Sequence, residues 1–362
     1  MQRRAVLLHA AWAAAAFLPP GRGAAAVLAP RPLEFPRDFG SHPDLRTEWW
    51  YVTGSARSGA REFGFQVTFF RSRIDGTQAL RSAFAARQLI FAHAAVTDLQ
   101  GRKLWHDQRI ARAGMGVASA GETDTALHLR DWSLVRGADG YRASVATGEF
   151  TLDLHCAPTQ PVLAQGDAGL SRKGPAPDQA SYYYSEPQLA TRGRLQLQGQ
   201  AFEVTGTSWL DHEWSDVLMH PDAVGWDWIG MNLADGGALT AFRLRDRAGA
   251  ALWSGGSFRR GRGSNGSLGA GAAGTARGAV GTEGGGLRVF SPGELAFEPL
   301  RRWKSPASGA TYPVDWAVRT PAGRFTVKAL LDDQELDSRG STGSIYWEGL
   351  SELRDERGAP VG

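Results

Sequence analysis

The sequence contains a single cysteine, Cys156, and this scarcity limits the chemistry that its side chains can perform. One thiol excludes a disulfide within the chain and a zinc site built from cysteine ligands. Residues 152–156 alternate as a half-buried strand does, and Cys156 shares a face with Leu152 and Leu154. We therefore interpret Cys156 as a buried structural thiol.

The sequence also lacks a strong charge bias and a second long apolar run. Its 40 basic and 37 acidic residues give a formal net charge of +3. Residues 1–26 hold three arginines and no acid, so the remainder carries a formal charge of zero. This balance does not favour a nucleic-acid partner. No later segment reaches the length of a membrane span, so we expect any membrane contact of the mature chain to be peripheral.

Residues 1–26 have the organisation of a signal peptide. Arg3 and Arg4 precede an apolar run over residues 5–18, which is too short to cross a bilayer, and alanines occupy positions 24–26. We expect cleavage here and export of the mature chain to the periplasm or the medium. The paired arginines leave both the Sec and the twin-arginine route open.

Glycine and tryptophan are abundant, with 46 and 13 residues, and charged residues make up 21% of the chain. This composition favours strands joined by many turns. Period-two alternation recurs along the chain, and turn signals separate the runs. We predict an all-β fold of antiparallel strands. The runs are 62–71, 88–98, 126–135, 141–147 and 149–156, then 226–234, 239–246, 251–258, 287–297, 311–319, 323–331 and 344–353.

The length of 362 residues exceeds one ordinary hydrophobic core, which predicts two domains or one large β unit. We place the domains at 41–218 and 219–362. Glycine, alanine, serine and arginine dominate residues 255–286, which cannot bury enough apolar area to offset the entropy of ordering. This segment is predicted to be a flexible loop.

Two tryptophan-rich motifs, residues 209–215 (WLDHEWS) and 225–228 (GWDW), carry the strongest signal for chemistry. If the first motif is extended, His212 and Trp214 share one face and Asp211 and Glu213 share the other. Ionisable groups surrounded by indoles are candidates for perturbed pKa values. We predict a site here, with one face of the strand lining a pocket.

An earlier aromatic strand carries a second candidate acid. Glu48 and Trp50 point to one face and Trp49 and Tyr51 to the other. The alternative interpretation is that Glu48 forms a structural ion pair with Arg46 or Arg71.

Residues 158–181 interrupt the strand pattern with several prolines and glycines. A loop of this length is predicted to be a lid over a pocket, and a disordered linker is the alternative. The three tyrosines that follow, among them Tyr183, either cap the pocket or pack on the sheet.

Several motifs together resemble the lipocalin-like family of carotenoid 1,2-hydratases, or hydroxyneurosporene synthases, which includes many exported members described as predicted secreted hydrolases. They are residues 42–43 (HP), 48–51 (EWWY), 69–71 (FFR), 169–174 (GLSRKG), 181–185 (SYYYS), 207–215 (TSWLDHEWS), 225–228 (GWDW) and 346–349 (YWEG). The resemblance runs from about residue 42 to the C-terminus, apart from the glycine-rich insert. It implies two tandem lipocalin-like β-barrels with a ligand site near their junction. Relatives continue past the equivalent of residues 357–362 into a closing strand, so we expect an open edge in the second barrel.

The resemblance implies addition of water to a terminal isoprenoid double bond, without a cofactor or metal. A carboxylic acid kept neutral by apolar walls can protonate the alkene, and indole faces stabilise the resulting cation. The predicted catalytic residues are Asp211, His212 and Asp227, with the acids as proton donors and His212 orienting or deprotonating the water. The predicted binding residues for the hydrophobic small molecule are Glu48, Trp50, Tyr183, Trp214 and Trp226.

Other functions remain open at this level. A secreted lipid or ester hydrolase would need water activated by His212 and Asp211, because the sequence has no Gly-x-Ser-x-Gly elbow. A non-catalytic carrier of a hydrophobic molecule is compatible with a barrel interior. A metal site at Asp211, His212 and Glu213 is disfavoured, since adjacent strand residues point to opposite faces.

Overall fold

The structure is a computed structural model, and it describes residues 27–217, 220–261 and 286–362. The predicted signal peptide lies outside these residues, as do the positions beside the predicted domain boundary, so both stay predictions. Among the described residues there is no helix with the length and apolarity of a membrane span. The helical elements of this part of the chain are single 3-10 turns at Arg37–Phe39 and Asp75–Thr77.

The first thirteen strands form one antiparallel sheet. They are β1 (Thr47–Ser58), β2 (Arg61–Arg73), β3 (Gln88–Asp98), β4 (Lys103–Arg112), β5 (Ala118–Ala120), β6 (Ala126–Leu129), β7 (Trp132–Gly137), β8 (Gly140–Ala146), β9 (Phe150–Ala157), β10 (Leu163–Ala164), β11 (Leu170–Arg172), β12 (Ala180–Leu197) and β13 (Gln200–Ser215). The order is β4-β3-β2-β1-β13-β12-β9-β8-β7-β6-β5, and β10 and β11 pair with β12. Because β3 and β4 approach β5 and β6, the sheet nearly closes into a barrel.

Alternation along β2 shows how the sequence builds this sheet. Phe63, Phe65, Val67 and Phe69 point into the barrel and belong to its core, whereas the residues between them face outward. Full burial of one such side chain stabilises the fold by about 1.5–3 kcal/mol. Cys156 is buried in the same core, so its predicted structural placement is confirmed.

The remaining strands form smaller antiparallel sheets packed on the barrel's outer face. One sheet holds β14 (Gly225–Asn232), β15 (Ala238–Arg245), β16 (Ala251–Arg259) and β17 (Leu287–Phe290); another holds β18 (Ala296–Lys304), β19 (Thr311–Thr320), β20 (Gly323–Ala329) and β23 (Ser351–Arg354); β21 (Glu335–Asp337) pairs with β22 (Ile345–Trp347). The two larger sheets share one core, which includes Leu239, Phe258, Phe297 and Val318. The predicted all-β, lipocalin-like architecture is confirmed.

One prediction about loops is corrected, and one alternative is excluded. Residues 255–259 belong to β16 rather than to the glycine-rich loop, because they pair with β15 and β17. Residues 262–285 of that predicted loop lie outside the described part. The segment 158–181 is not a linker, since it contains β10 and β11 and buries Leu163 and Leu170.

Candidate active site

Strand β13 carries the site because it lies between β1 and β12 and exposes a different chemistry on each face. Tyr51 of β1 and Ser185 of β12 flank Asp211 in register. Asp211 and Glu213 point out of the barrel toward the second group of sheets, and His212 and Trp214 point into the barrel core. The predicted alternation of this motif is confirmed.

A cavity of about 370 Å³ lies on the outer side of β13, between the barrel and the second group of sheets. Its wall is mostly apolar and includes six of the thirteen tryptophans. These are Trp49, Trp209, Trp226, Trp228, Trp316 and Trp347. Such a space suits a hydrophobic ligand with few polar groups.

Asp211 is the acid at the centre of this wall. Its Oδ1 atom accepts hydrogen bonds from the Tyr183 hydroxyl at 2.9 Å, the Ser185 hydroxyl at 2.5 Å and the Trp209 indole at 2.8 Å. Burial outweighs these three bonds and, with the charge of Glu213, raises the pKa of Asp211 from 3.8 to about 7. Both the protonated and the charged form of Asp211 are therefore populated near neutral pH.

Glu213, two residues further along the same face, has a different environment. Its carboxylate forms an ion pair with Lys173 at 2.9 Å and accepts a hydrogen bond from Ser181. The Lys173 ammonium also lies over the rings of Tyr183 and Phe242, at 4.9 and 4.3 Å from their centroids. Segment 158–181 thus supplies a charge to the cavity, although its action as a lid stays a prediction.

The structure corrects the role predicted for Asp227. This residue lines the cavity, but its Oδ2 atom lies 2.6 Å from Arg243 Nε and 3.3 Å from Arg245 Nε. The Asp227 carboxylate is therefore held in ion pairs with two guanidinium groups. The predicted binding residues Tyr183 and Trp226 do face the cavity.

His212 does not line the cavity, contrary to the prediction. Its Nε2 atom hydrogen-bonds Glu48 Oε1 at 2.9 Å inside the barrel, and its Nδ1 atom lies 3.2 Å from the Tyr184 hydroxyl. The ring stacks on Trp50 at 4.4 Å and lies 4.6 Å from the ring of Trp214. Glu48, Trp50, His212 and Trp214 thus form part of the barrel core, because strand periodicity places them on the face opposite Asp211.

Glu48 is the centre of a buried polar network. Its Oε2 atom accepts hydrogen bonds from Arg71 at 2.7 Å and Ser41 at 3.0 Å, and Oε1 contacts His42 Nδ1 at 2.7 Å. Burial alone would raise the pKa of Glu48, but the charge of Arg71 and the histidine contacts hold it well below 4.5. Burial lowers the pKa of His212 to about 4. The alternative interpretation of Glu48 as a structural partner of Arg71 is the correct one.

His42, Glu48 and His212 also bring metal-ligand atoms within 4.8 Å of one another. However, Arg71 already neutralises the Glu48 carboxylate, and both carboxylate oxygens accept hydrogen bonds. A cation at this position would face an adjacent guanidinium. We assign no metal to this cluster, and the prediction of a metal-free, cofactor-free protein stays a prediction.

Sequence reasoning missed a second carboxyl group, Glu348, which follows β22 and lines the same cavity. Burial and the nearby charge of Asp211 raise the pKa of Glu348 from 4.5 to about 8. The side chain is partly accessible because it borders the cavity. Glu348 follows Trp347 as Asp227 follows Trp226, and this signal could have identified it.

Replacing Trp209 with phenylalanine tests whether the hydrogen bond from its indole stabilises the Asp211 carboxylate. Trp209→Phe removes an indole donor that favours the carboxylate, so we expect the pKa of Asp211 to rise further, by about one to two units. The midpoint can be measured by carbon NMR with isotope-labelled aspartate carboxyl carbons. Trp316→Phe changes another cavity tryptophan that does not bond to Asp211 and serves as the control. An equal rise in both variants would contradict the assignment.

A nearly closed antiparallel barrel, a second β unit on its outer face and a cavity between them define a lipocalin-like protein. The AttH-like family profile matches residues 26–274 and 267–361. This chain belongs to the AttH-like family. The predicted resemblance to a lipocalin-like family is thereby confirmed.

Two solved structures show the same fold. An AttH-type protein from Nitrosomonas europaea is 43% identical, with 93% of this chain and 97% of that chain covered and a TM-score of 0.81. Kievitone hydratase from Nectria haematococca is 14% identical, with 91% and 90% covered and a TM-score of 0.65. No match was found among the curated proteins.

Proposed function

We propose that this protein is a hydratase that adds water to an isolated carbon–carbon double bond of a hydrophobic ligand. A terminal isoprenoid double bond is the substrate class that we favour. The observation that carries the proposal is a buried carboxyl group, Asp211, whose pKa is raised to about 7, on the wall of a tryptophan-rich cavity. The shared fold of kievitone hydratase supports it, because that protein is itself a hydratase.

The cavity suits each requirement of alkene hydration. An isolated alkene is a weak base, so its protonation needs an undissociated acid rather than a carboxylate. The tertiary cation that follows is stabilised by indole faces, at roughly 1–2 kcal/mol for each desolvated contact. Trp209 and Trp228, whose ring centroids lie 6.5 Å apart, stand on the wall beside Asp211.

The geometry argues against one of the two alternative functions and is compatible with the other. The hydrolase hypothesis relied on one water held by both His212 and Asp211, and these side chains lie on opposite faces of β13. The carrier hypothesis needs only the apolar cavity and therefore competes directly with the hydratase.

The deciding experiment offers the purified protein an isoprenoid alkene in water labelled with heavy oxygen. Lycopene and geranylgeraniol in detergent micelles are suitable probes, with mass spectrometry of the extracted products. We expect a tertiary alcohol that contains one labelled oxygen. Binding of the probes, seen as quenched tryptophan fluorescence, without any alcohol would instead support a carrier.

A further inference from the structure

Two carboxyl groups, Asp211 and Glu348, share the cavity and come from different parts of the fold. Asp211 lies on the outer face of the barrel. Glu348 directly follows β22, which contacts that face through the hydrogen bond that the Gln66 amide donates to the Tyr346 hydroxyl at 3.4 Å. Any ligand in the cavity therefore contacts a wall that contains both acids.

The hydrogen bonds to the two carboxyl groups are unequal. Asp211 accepts three side-chain bonds of 2.5 to 2.9 Å. Among the described residues, Glu348 accepts one, from the Gln66 amide at a long 3.3 Å, and it has no ion pair. Because hydrogen bonds favour a carboxylate over the neutral acid, the surroundings stabilise negative charge on Asp211 more than on Glu348.

We propose that Glu348 and Asp211 act as an acid–base pair, in which Glu348 holds the proton that protonates the alkene and Asp211 is the carboxylate. This inference rests on the proposed hydratase function and deepens it. It places on Glu348 the donor role that the sequence predicts for Asp211.

The other groups near Glu348 do not change this assignment of the proton to Glu348 and of the negative charge to Asp211. Tyr51 and Tyr346 face it with phenols whose pKa values burial raises well above 10, so they carry no charge at neutral pH. His93, behind Tyr346 at 3.0 Å, is also neutral because burial lowers its pKa to about 3.

The charged residues of the same wall are already paired. Glu213 contacts Lys173, and Asp227 contacts Arg243 and Arg245. Asp211 is thus the group whose charge acts most directly on Glu348, and this repulsion disfavours ionisation of Glu348 while Asp211 is charged. Over the intermediate pH range the pair therefore holds one proton.

The reaction step balances with water as the only other reactant. The O–H bond of Glu348 breaks as the alkene electron pair forms a C–H bond at the less substituted carbon, which leaves a tertiary cation and a glutamate carboxylate. The Asp211 carboxylate accepts a proton from water as the water oxygen bonds to the cation. The product is a tertiary alcohol, and transfer of the proton from Asp211 to Glu348 restores the starting state.

A titration of the two carboxyl groups tests the pair without any substrate. Carbon NMR of protein labelled at the aspartate and glutamate carboxyl carbons gives each midpoint, and Glu348→Gln and Asp211→Asn assign the signals. We expect Glu348 to titrate at the higher pH, and its midpoint to fall by more than about one unit in Asp211→Asn. The proposal would be overturned if Asp211 titrated at a higher pH than Glu348, or if the Glu348 midpoint were unchanged in Asp211→Asn.

Activity supplies the second test, with the lycopene assay in labelled water. We expect Glu348→Gln to lower kcat by roughly 10²–10⁴-fold and to remove the alkaline limb of the pH profile, which reports loss of the donated proton. Glu298→Gln, an exposed glutamate on β18, is the matched control. Wild-type activity in Glu348→Gln would refute the donor role, whereas no hydration by the wild type would refute the hydratase function and leave the titration result standing.

Discussion

Asp211→Asn is expected to abolish hydration while leaving the fold intact. An amide cannot take a proton from water or place a negative charge beside the cation, and loss of a positioned acid or base typically costs roughly 10²–10⁴-fold in rate. The amide oxygen still accepts the hydrogen bonds that Tyr183, Ser185 and Trp209 donate to Oδ1. The measurement is kcat with lycopene in labelled water.

The stability of Asp211→Asn shows whether its loss of activity has a cause other than unfolding. The pKa of Asp211 is raised in the folded state, so its ionisation opposes folding as pH rises from about 4 to about 7. Asp211→Asn lacks that group, and we expect its urea midpoint at pH 8 to equal or exceed that of the wild type. Glu203→Gln, an exposed carboxyl on the same strand, is the control for both measurements. Retained turnover in Asp211→Asn would contradict the function of Asp211 proposed here.

The β architecture was predictable because its signals are local. Alternation in β2 and in residues 209–215 follows from the pleat, and the turns between strands have characteristic compositions. Even the separation of Asp211 from His212 follows from the period of two. One site for both residues is nevertheless the prediction from the sequence, since the pattern does not state which face borders a ligand.

That choice depends on tertiary packing, which no local pattern encodes. The second group of sheets covers the outer face of the barrel, so Asp211 borders the cavity and His212 joins the core. Glu348 approaches Asp211 only because the segment after β22 packs on that face. The arginine partners of Asp227 lie on β15, and the pairing of β14 with β15 places Arg243 directly opposite Asp227. The sequence of either strand alone does not give this register.

Arg71→Met is expected to destabilise the protein by about 3–5 kcal/mol, because it leaves the Glu48 carboxylate buried without its cationic partner. The guanidinium and the carboxylate have side-chain exposures of 1% and 0%, and they are 2.7 Å apart. Arg71 also donates to the carbonyls of His42 and Leu45, at 2.8 and 2.9 Å. Urea unfolding at pH 7 measures the loss.

The pH dependence and two further variants identify the cause of that loss. The wild-type pKa of Glu48 lies well below 4.5, so the stabilisation by Arg71 is full above that pH and the deficit of Arg71→Met should narrow as pH falls. Adding Glu48→Gln to Arg71→Met removes the uncompensated charge and should recover part of the stability. Arg301→Met breaks two similarly short ion pairs, 2.6 Å to Asp332 and 2.8 Å to Asp315, but Arg301 is 42% exposed, so about 0–1 kcal/mol is expected for each pair. Equal losses for Arg71→Met and Arg301→Met would show that burial of the carboxylate does not set the cost.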